Sequence, residues 1–260
     1  MSGQIIRQLK PEEEELFRKR EELAAIRATL AERELELVDL RTQLAAFEGR
    51  YLRQVGSLYA ELDEWKARIS ELEARFDPSA AAKERADEAR EQARQTHEDA
   101  HGKGAETHDF TPSPELKSLY REVARRIHPD LSRDSSDQER RTRFMAEANR
   151  AYEAGDAGAL ERILDEYHDG ADAVEGEGIG AELIRLIRQI SQARERISAI
   201  EQESAALHQS EIALLKKQAE EREQEGRDLL AELAIAVREE IERAKGEYEA
   251  LTKQGATRRD

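Results

Sequence analysis

The chain has 260 residues, of which 38% are charged and only 5% are aromatic, and its formal net charge at pH 7 is −16. This composition excludes one large globular core and is typical of coiled coils and other long helices. The acidic charge excludes a general nucleic-acid binder, which needs clustered Lys and Arg, and the lack of cysteine excludes disulfides and thiolate metal sites.

Apolar residues at a seven-residue spacing run through the N-terminal third of the chain. These seam residues are Leu16, Leu23, Leu30, Leu37, Leu44, Tyr51, Leu58, Trp65 and Leu72. The companion seam position shifts from three to four residues later between Phe47 and Val55, which indicates a stutter that unwinds a supercoil locally. Gly49 and Gly56 flank this shift, and each weakens a helix by up to ~1 kcal/mol relative to Ala. We predict a coiled coil over residues 1–78, with a soft point between the two glycines.

The next segment, residues 79–110, contains no large apolar side chain before its last residue. Its many Ala, Glu and Arg residues predict a solvated helix that ends near Gly102 in a flexible linker. His97 and His101 lie four residues apart, a spacing that can bind zinc, but the segment lacks the apolar shell of a metal site. A hydrolase that uses His108-Asp109 is a weaker alternative still. We predict a charged linker with no metal ligand and no catalytic residue.

Residues 111–170 have the pattern of a small helical module. Its first predicted helix has an apolar stripe that consists of Leu116, Leu119, Tyr120, Val123, Ala124 and Ile127. On another face of that helix lies a basic ridge, which consists of Lys117, Arg121, Arg125 and Arg126. Pro129 ends the helix, and we therefore predict that His128, Pro129 and Asp130 begin an exposed loop.

A second amphipathic run follows the polar segment from Leu131 to Gln138. It covers residues 140–152, and the apolar residues on one of its sides are Phe144, Ala148, Ala151 and Tyr152. Gly155 can cap this helix in a left-handed conformation, and Asp156 can cap the start of a third helix that extends to His168.

The C-terminal third is predicted to be helical again. The acidic, glycine-containing residues 171–180 would repel phosphate and are predicted to form a linker, and residues 181–254 are predicted to form a C-terminal coiled coil. Its seam residues are Leu183, Leu186, Ile190, Ala193, Ile197, Ile200, Leu207, Leu230, Ala234, Val237, Ile241, Ala244, Tyr248 and Leu251. A polar gap over residues 218–226 is expected to interrupt or bend this coil.

The two predicted coils have similar lengths, roughly 90 and 100 Å at 1.5 Å per residue. They can pair with each other as an intramolecular antiparallel coil with the small module at its tip, or they can pair between chains in a homodimer. Periodicity shows which face of a helix is apolar and does not show what covers it, so both alternatives stay open. The predicted fold class is all-α, with long coiled-coil helices flanking a small helical hairpin.

The pattern Tyr-Arg-x-Val-Ala-x-x-Ile-His-Pro-Asp, which ends at Asp130, resembles the second helix and signature loop of the J domain, the module of DnaJ-type co-chaperones. The run that ends at Tyr152 is similar to the third helix of that family, which packs against the second as an antiparallel hairpin. The resemblance covers residues 114–152. It departs from the family in two places: no first helix with Tyr-x-x-Leu-Gly precedes Pro114, and Leu131 stands where the family often has lysine. The helix over 157–168 is expected to complete the module.

The resemblance implies a docking function. His128, Pro129, Asp130 and the basic ridge would contact a DnaK-type heat-shock ATPase and stimulate its ATP hydrolysis, and the ridge would steer the module toward an acidic surface. The chain has no Gly/Phe-rich segment and no CxxC repeat, so the client-binding parts of general DnaJ chaperones are missing. We predict a co-chaperone that is not an enzyme, has no cofactor, is targeted by its coiled coils and serves an unidentified client. The alternative is a structural or scaffold protein with a degenerate hairpin.

The location of the protein is predicted from what the sequence lacks. No apolar segment approaches the roughly 18 residues that are needed to span a bilayer. The residues that follow Met1 are soon acidic and lack the apolar core of a signal peptide. Together with the absence of cysteine, these features predict a cytoplasmic protein with no membrane span.

Overall fold

The computed structural model of the protein describes residues 10–102, 110–132, 135–167 and 178–257. Those residues contain helices and no β-strand, which confirms the predicted all-α fold class. The helices are α1 (Pro11–Tyr51), α2 (Ser57–Phe76), α3 (Ala80–His101), α4 (Pro114–Ile127), α5 (Ser135–Glu153), α6 (Ala157–Glu166), α7 (Ile179–His208), α8 (Glu211–Gln224) and α9 (Leu229–Thr257). No helix in these ranges is long and apolar enough to cross a membrane.

The helices form two compact units, and α1 contributes to both. The first unit contains the described residues of 1–42 and 110–208. The second unit contains those of 43–109 and 209–260. Each unit is therefore assembled from two separate stretches of the chain, and each pairs an N-terminal seam with a C-terminal one.

In the first unit, α1 and α7 run parallel along a shared apolar seam. The buried side chains of this seam are Leu16, Leu23, Leu30, Leu37, Leu131, Leu186, Ile190, Ala193 and Ile200. Two ion pairs, Arg20–Glu182 at 2.5 Å and Glu34–Arg196 at 2.8 Å, both join residues that are 162 positions apart. Because the offset is constant, residue numbers rise together along both helices. The predicted intramolecular antiparallel coil is therefore wrong, although the two seams do pair within the chain.

A second core in the first unit holds α4, α5 and α6 against α1. Its fully buried members include Tyr120, Val123, Ile127, Ala148, Tyr152 and Leu160. The Tyr120 hydroxyl donates to Asn149 Oδ1 at 2.7 Å, and Arg141 Nη1 donates to the carbonyl oxygen of Arg126 at 2.8 Å. Residue numbers thus rise on α4 as they fall on α5, which makes the two helices an antiparallel hairpin.

In the second unit, α9 runs parallel to α2, and α3 runs antiparallel to it. Lys245 Nζ lies 3.2 Å from Glu61 Oε1, and the rings of Trp65 and Tyr248 are 5.7 Å apart. Thr96 donates to Asp63 at 2.8 Å. Arg90 Nε donates to Glu71 at 3.0 Å, so residue numbers fall along α3 as they rise along α2, and α3 folds back antiparallel to α2.

The helix predicted over the charged segment is confirmed as α3, but it is not solvated on all sides. Four of its alanines are buried, Ala82, Ala86, Ala93 and Ala100. Ser79 caps its N-terminus by accepting a hydrogen bond from the backbone N–H of Ala82 at 3.3 Å. The alanine stripe lets α3 approach α2 closely, and close approach compensates for the lack of large apolar side chains.

Most of the predicted seam residues lie in the apolar clusters, although Leu72 and Leu183 are only partly buried and belong to none of them. The helices are interrupted close to the predicted places. A π-helical turn, Leu52–Gly56, separates α1 from α2 where the stutter lies. Gly226, with φ of 75°, lies in the gap between α8 and α9. The break between α7 and α8 was not predicted. Ser210 caps the N-terminus of α8 after this break. Residues 103–109, which include the His108-Asp109 pair and part of the first predicted linker, lie outside the described residues, as do residues 168–177, which include most of the second predicted linker. The coiled-coil geometry and the domain boundaries stay predictions.

Candidate docking site around His128

The hairpin places His128, Pro129 and Asp130 in the turn between α4 and α5. Ser113 caps α4 by accepting from the backbone N–H of Leu116 at 3.1 Å, and Pro114 occupies the first turn, where its missing N–H is not needed. The helix ends at Ile127, and a 3-10 turn, Pro129–Leu131, follows. The tripeptide therefore lies where the sequence predicted a turn.

The prediction that this loop is exposed is wrong for His128, whereas Pro129 and Asp130 are partly exposed. Only 3% of His128 is accessible to solvent, and its imidazole lies against α1. Nε2 lies 2.9 Å from Glu34 Oε1, and Nδ1 lies 3.2 Å from the backbone nitrogen of Asp130. Since the Asp130 amide can only donate, Nδ1 is the acceptor, and the proton of the neutral ring lies on Nε2, where it is donated to Glu34.

Glu34 joins the hairpin to both long helices. The residue is 6% exposed, and the carboxylate oxygen that accepts from His128 also accepts from Arg196 Nε of α7 at 2.8 Å. Burial by itself would raise the pKa of Glu34, but the hydrogen bonds from His128 and Arg196 outweigh burial and hold its pKa below the ordinary value of 4.5. The ionised carboxylate is therefore the form that this cluster stabilises.

This pKa shift predicts how the stability of the first unit depends on pH. Because the folded-state pKa of Glu34 lies below 4.5, its stabilising contribution is present above about pH 4.5 and is lost as the pH falls through the folded value. We expect the difference in unfolding free energy between wild type and Glu34→Gln to be largest near pH 7 and to shrink below pH 4.5. Hydrogen exchange of α5 peptides in urea, followed from pH 7 to pH 3, measures it. A difference that stays constant over this range would contradict the assignment.

The basic ridge is paired with carboxylates. Lys117 Nζ lies 2.8 Å from Asp39 of α1, and Arg121 Nε lies 2.5 Å from Glu32 of α1. The remaining two cations, Arg125 and Arg126, pair with a glutamate of their own helix, Glu122, at 3.4 and 2.7 Å. The four cations of the ridge thus face three carboxylates, which leaves a net charge of +1, and the predicted electrostatic steering toward an acidic partner is reduced in this conformation.

Leu131 anchors the loop to the long helices. Its side chain is buried in the seam between α1 and α7, where a lysine would leave its ammonium group in an apolar environment. Gln189 of α7 also donates to the backbone carbonyl oxygens of Leu131 and Ser132 at 3.0 and 3.4 Å. The loop is thus held by α7 as well as by α1.

The hairpin also packs against α1. Three side chains on one stripe of α1, Ala31, Leu35 and Val38, are buried in the core of the hairpin. The predicted third helix is present as α6 and also packs there, through Leu160 and Ile163. The sequence predicted a coil for α1 and no contact with the hairpin. Leu35 and Val38 could have indicated this contact, because they are apolar but lie off the heptad seam and so mark a second buried face.

The histidine pair on α3 does not form a metal site with other described residues. With Glu98, His97 and His101 have the spacing of a zinc-binding HExxH segment. Both rings are exposed and stack with their centroids 4.3 Å apart, and no group of three potential ligands occurs in the described ranges. The motif needs a third ligand to hold a catalytic zinc, and the described residues supply none; that these histidines bind no metal stays a prediction.

Comparison of the chain with protein-family models, with curated proteins and with solved structures finds no match.

Proposed function

We propose that the protein is a co-chaperone whose hairpin docks on a DnaK-type heat-shock ATPase and stimulates its ATP hydrolysis. The observation that carries the proposal is the antiparallel pair α4–α5 with His128, Pro129 and Asp130 in its turn and a basic ridge along α4. The long helices would then determine where this stimulation takes place.

Part of the proposed docking surface is accessible. The side chains of Arg125 and Arg126 are 50% and 53% exposed, and that of Asp130 is 28% exposed. Asp130 lines a shallow polar groove together with Ser132, Gln138, Gln192, Glu195 and Arg196. An approaching ATPase could therefore contact this aspartate and these arginines while His128 is still buried.

Steady-state ATP turnover of a cognate DnaK-type protein tests the proposal. We expect wild type to stimulate turnover and the variant Asp130→Asn with Arg126→Ala to lose most of that stimulation. These two side chains are suitable because both reach solvent, and the backbone N–H of Asp130 that binds His128 is kept. Arg162→Ala serves as the matched control, since it removes an exposed cation from α6 of the same unit. Equal stimulation by wild type and the double variant would rule the proposal out.

A second candidate is a structural or scaffold protein whose hairpin fastens α1 to α7 and docks nothing. The burial of His128 between Glu34 and the seam favours it, because this histidine then has a purely internal role. A pull-down from wild-type and Leu131→Lys protein, with ATP and with ADP, separates the two candidates. Absence of nucleotide-dependent chaperone binding in both proteins, with the helical content unchanged, would favour the scaffold.

A further inference from the structure

The groups that the proposed docking would use are covered by residues of the same chain. His128 is bound by Glu34, Lys117 by Asp39 and Arg121 by Glu32. The three carboxylates lie within two turns of α1, so a single stretch of one helix covers the histidine and half of the ridge. Surface ion pairs contribute little individually. The loop is therefore held mainly by the buried His128–Glu34 contact and by the burial of Leu131 in the seam.

The loop itself is anchored at two adjacent points on the α1–α7 pair. Leu131 inserts into the apolar seam, and His128, three residues earlier, binds Glu34, which α7 holds through Arg196. Gln189 of α7 binds the backbone carbonyl oxygens at the end of the loop. Neither Leu131 nor Gln189 belongs to the docking surface, so their contacts serve only to fix the loop.

We infer that α1 and α7 together act as a latch that hides the docking tripeptide, with Leu131 as its apolar anchor and Glu34 as its polar one. This inference rests on the proposed co-chaperone function and adds regulation to it. Release requires Leu131 to leave the seam and His128 to leave Glu34. The core of the hairpin does not depend on either contact, because Leu131 belongs to the seam and the hairpin core is built around Tyr120, Val123 and Ile127.

The latch predicts that the accessibility of His128 depends on the parallel pair of long helices. A partner that binds α1 or α7 and separates them near Glu34 would release the loop. The ATPase would then be stimulated more strongly where that partner is present than by the latched protein alone. In the latched state, Asp130 and the two exposed arginines permit a first, weaker contact.

Leu131→Lys tests the latch directly, because a lysine in the apolar seam expels the loop. The readout is the rate at which diethyl pyrocarbonate modifies His128 in the full chain, measured by mass spectrometry. His97 and His101 are exposed and provide internal reference rates. We expect His128 to react at least about tenfold faster in Leu131→Lys than in wild type. The free energy that corresponds to a tenfold change in rate is only a small part of the free energy needed to bury the charge of a lysine.

Leu16→Lys is the matched control, because it places a lysine in the same seam but 18 residues from Glu34, roughly 27 Å along α1. His128 should react at nearly the wild-type rate in this variant. Equal acceleration in both variants would show general loosening of the seam and overturn the latch, as would an unchanged rate in folded Leu131→Lys. If Leu131→Lys does not fold, Glu34→Gln removes the charge of the polar anchor with little change of shape and is expected to accelerate modification by the same route.

ATP turnover of the DnaK-type protein, measured on the same samples, separates this inference from the proposed function. Faster modification of His128 together with higher turnover supports both. Faster modification without any stimulated turnover leaves the latch in place and rejects docking. Stimulation that is the same in wild type and Leu131→Lys, with slow modification in both, rejects the latch and leaves docking in place.

Discussion

Replacing Glu34 with alanine is expected to lower the free energy of unfolding of the first unit by about 2–4 kcal/mol at pH 7. The substitution leaves His128 with an unpaired Nε2–H in a buried site and leaves the Arg196 guanidinium without its buried carboxylate. The expected cost lies below that of a fully buried ion pair because the side chain of Arg196 is 34% exposed and can turn toward water. Hydrogen exchange of α5 peptides in urea measures the loss.

Glu32→Ala is the matched control for this prediction. Glu32 lies on the same helix two residues away and also binds a cation of α4, Arg121, but its side chain is 46% exposed. Exposed ion pairs contribute about 0–1 kcal/mol, so this variant should lose much less stability than Glu34→Ala. Similar losses for the two variants would mean that the burial of Glu34 does not determine its contribution.

The second large effect is expected for Tyr152→Ala, which should lower the free energy of unfolding of the first unit by about 3–5 kcal/mol. Tyr152 is fully buried, and its ring lies 5.5 Å from that of Phe110 and 5.0 Å from that of Tyr120. Its removal leaves a cavity where α5 meets α4. The same hydrogen-exchange measurement applies, with peptides of α9 from the second unit as an internal comparison.

Tyr152→Phe separates packing from hydrogen bonding at this position. The variant keeps the ring and removes only the hydroxyl, which donates to Asp39 at 3.2 Å. We expect a loss of about 0.5–1.5 kcal/mol, which is typical of one hydrogen bond to a partly buried acceptor. A loss as large as that of Tyr152→Ala would show that the contact with Asp39, and not the aromatic packing, holds α5 in place.

Three acidic residues of α1 hold the hairpin. Glu32, Glu34 and Asp39 each bind a residue of α4 or its loop, contacts that the seven-residue spacing of the apolar residues does not reveal. Their position beside Leu35 and Val38 gives the hairpin an apolar contact with a charged border. The same helix therefore packs against the hairpin and pairs with two of the four cations of the basic ridge.

Local patterns were sufficient for the helices and for most of the buried side chains. The seven-residue spacing of Leu16 to Leu37 identified the face of α1 that lies in the seam, and the stripe of Tyr120, Val123 and Ile127 identified the face of α4 that lies in the hairpin core. The predicted cap residue Asp156 marked the start of α6, where its side chain accepts a hydrogen bond from the backbone N–H of Ala159 at 2.9 Å. These signals act over one or two turns, which is why a sequence carries them without knowledge of the partner.

Three features depended on the tertiary structure. They are the parallel direction of α1 and α7, the burial of His128, and the burial of Leu131 in the seam between these helices. The contact of His128 with Glu34 spans 94 positions, and that of Glu34 with Arg196 spans 162. Periodicity reveals which face of a helix avoids water but not which surface covers that face, because the choice is made by contacts between distant parts of the chain. By itself, the sequence determined an all-helical protein with a His-Pro-Asp turn. Only the tertiary structure decided that His128 and Leu131 of this turn are buried, because Glu34 of α1 binds the histidine and the seam between α1 and α7 covers the leucine.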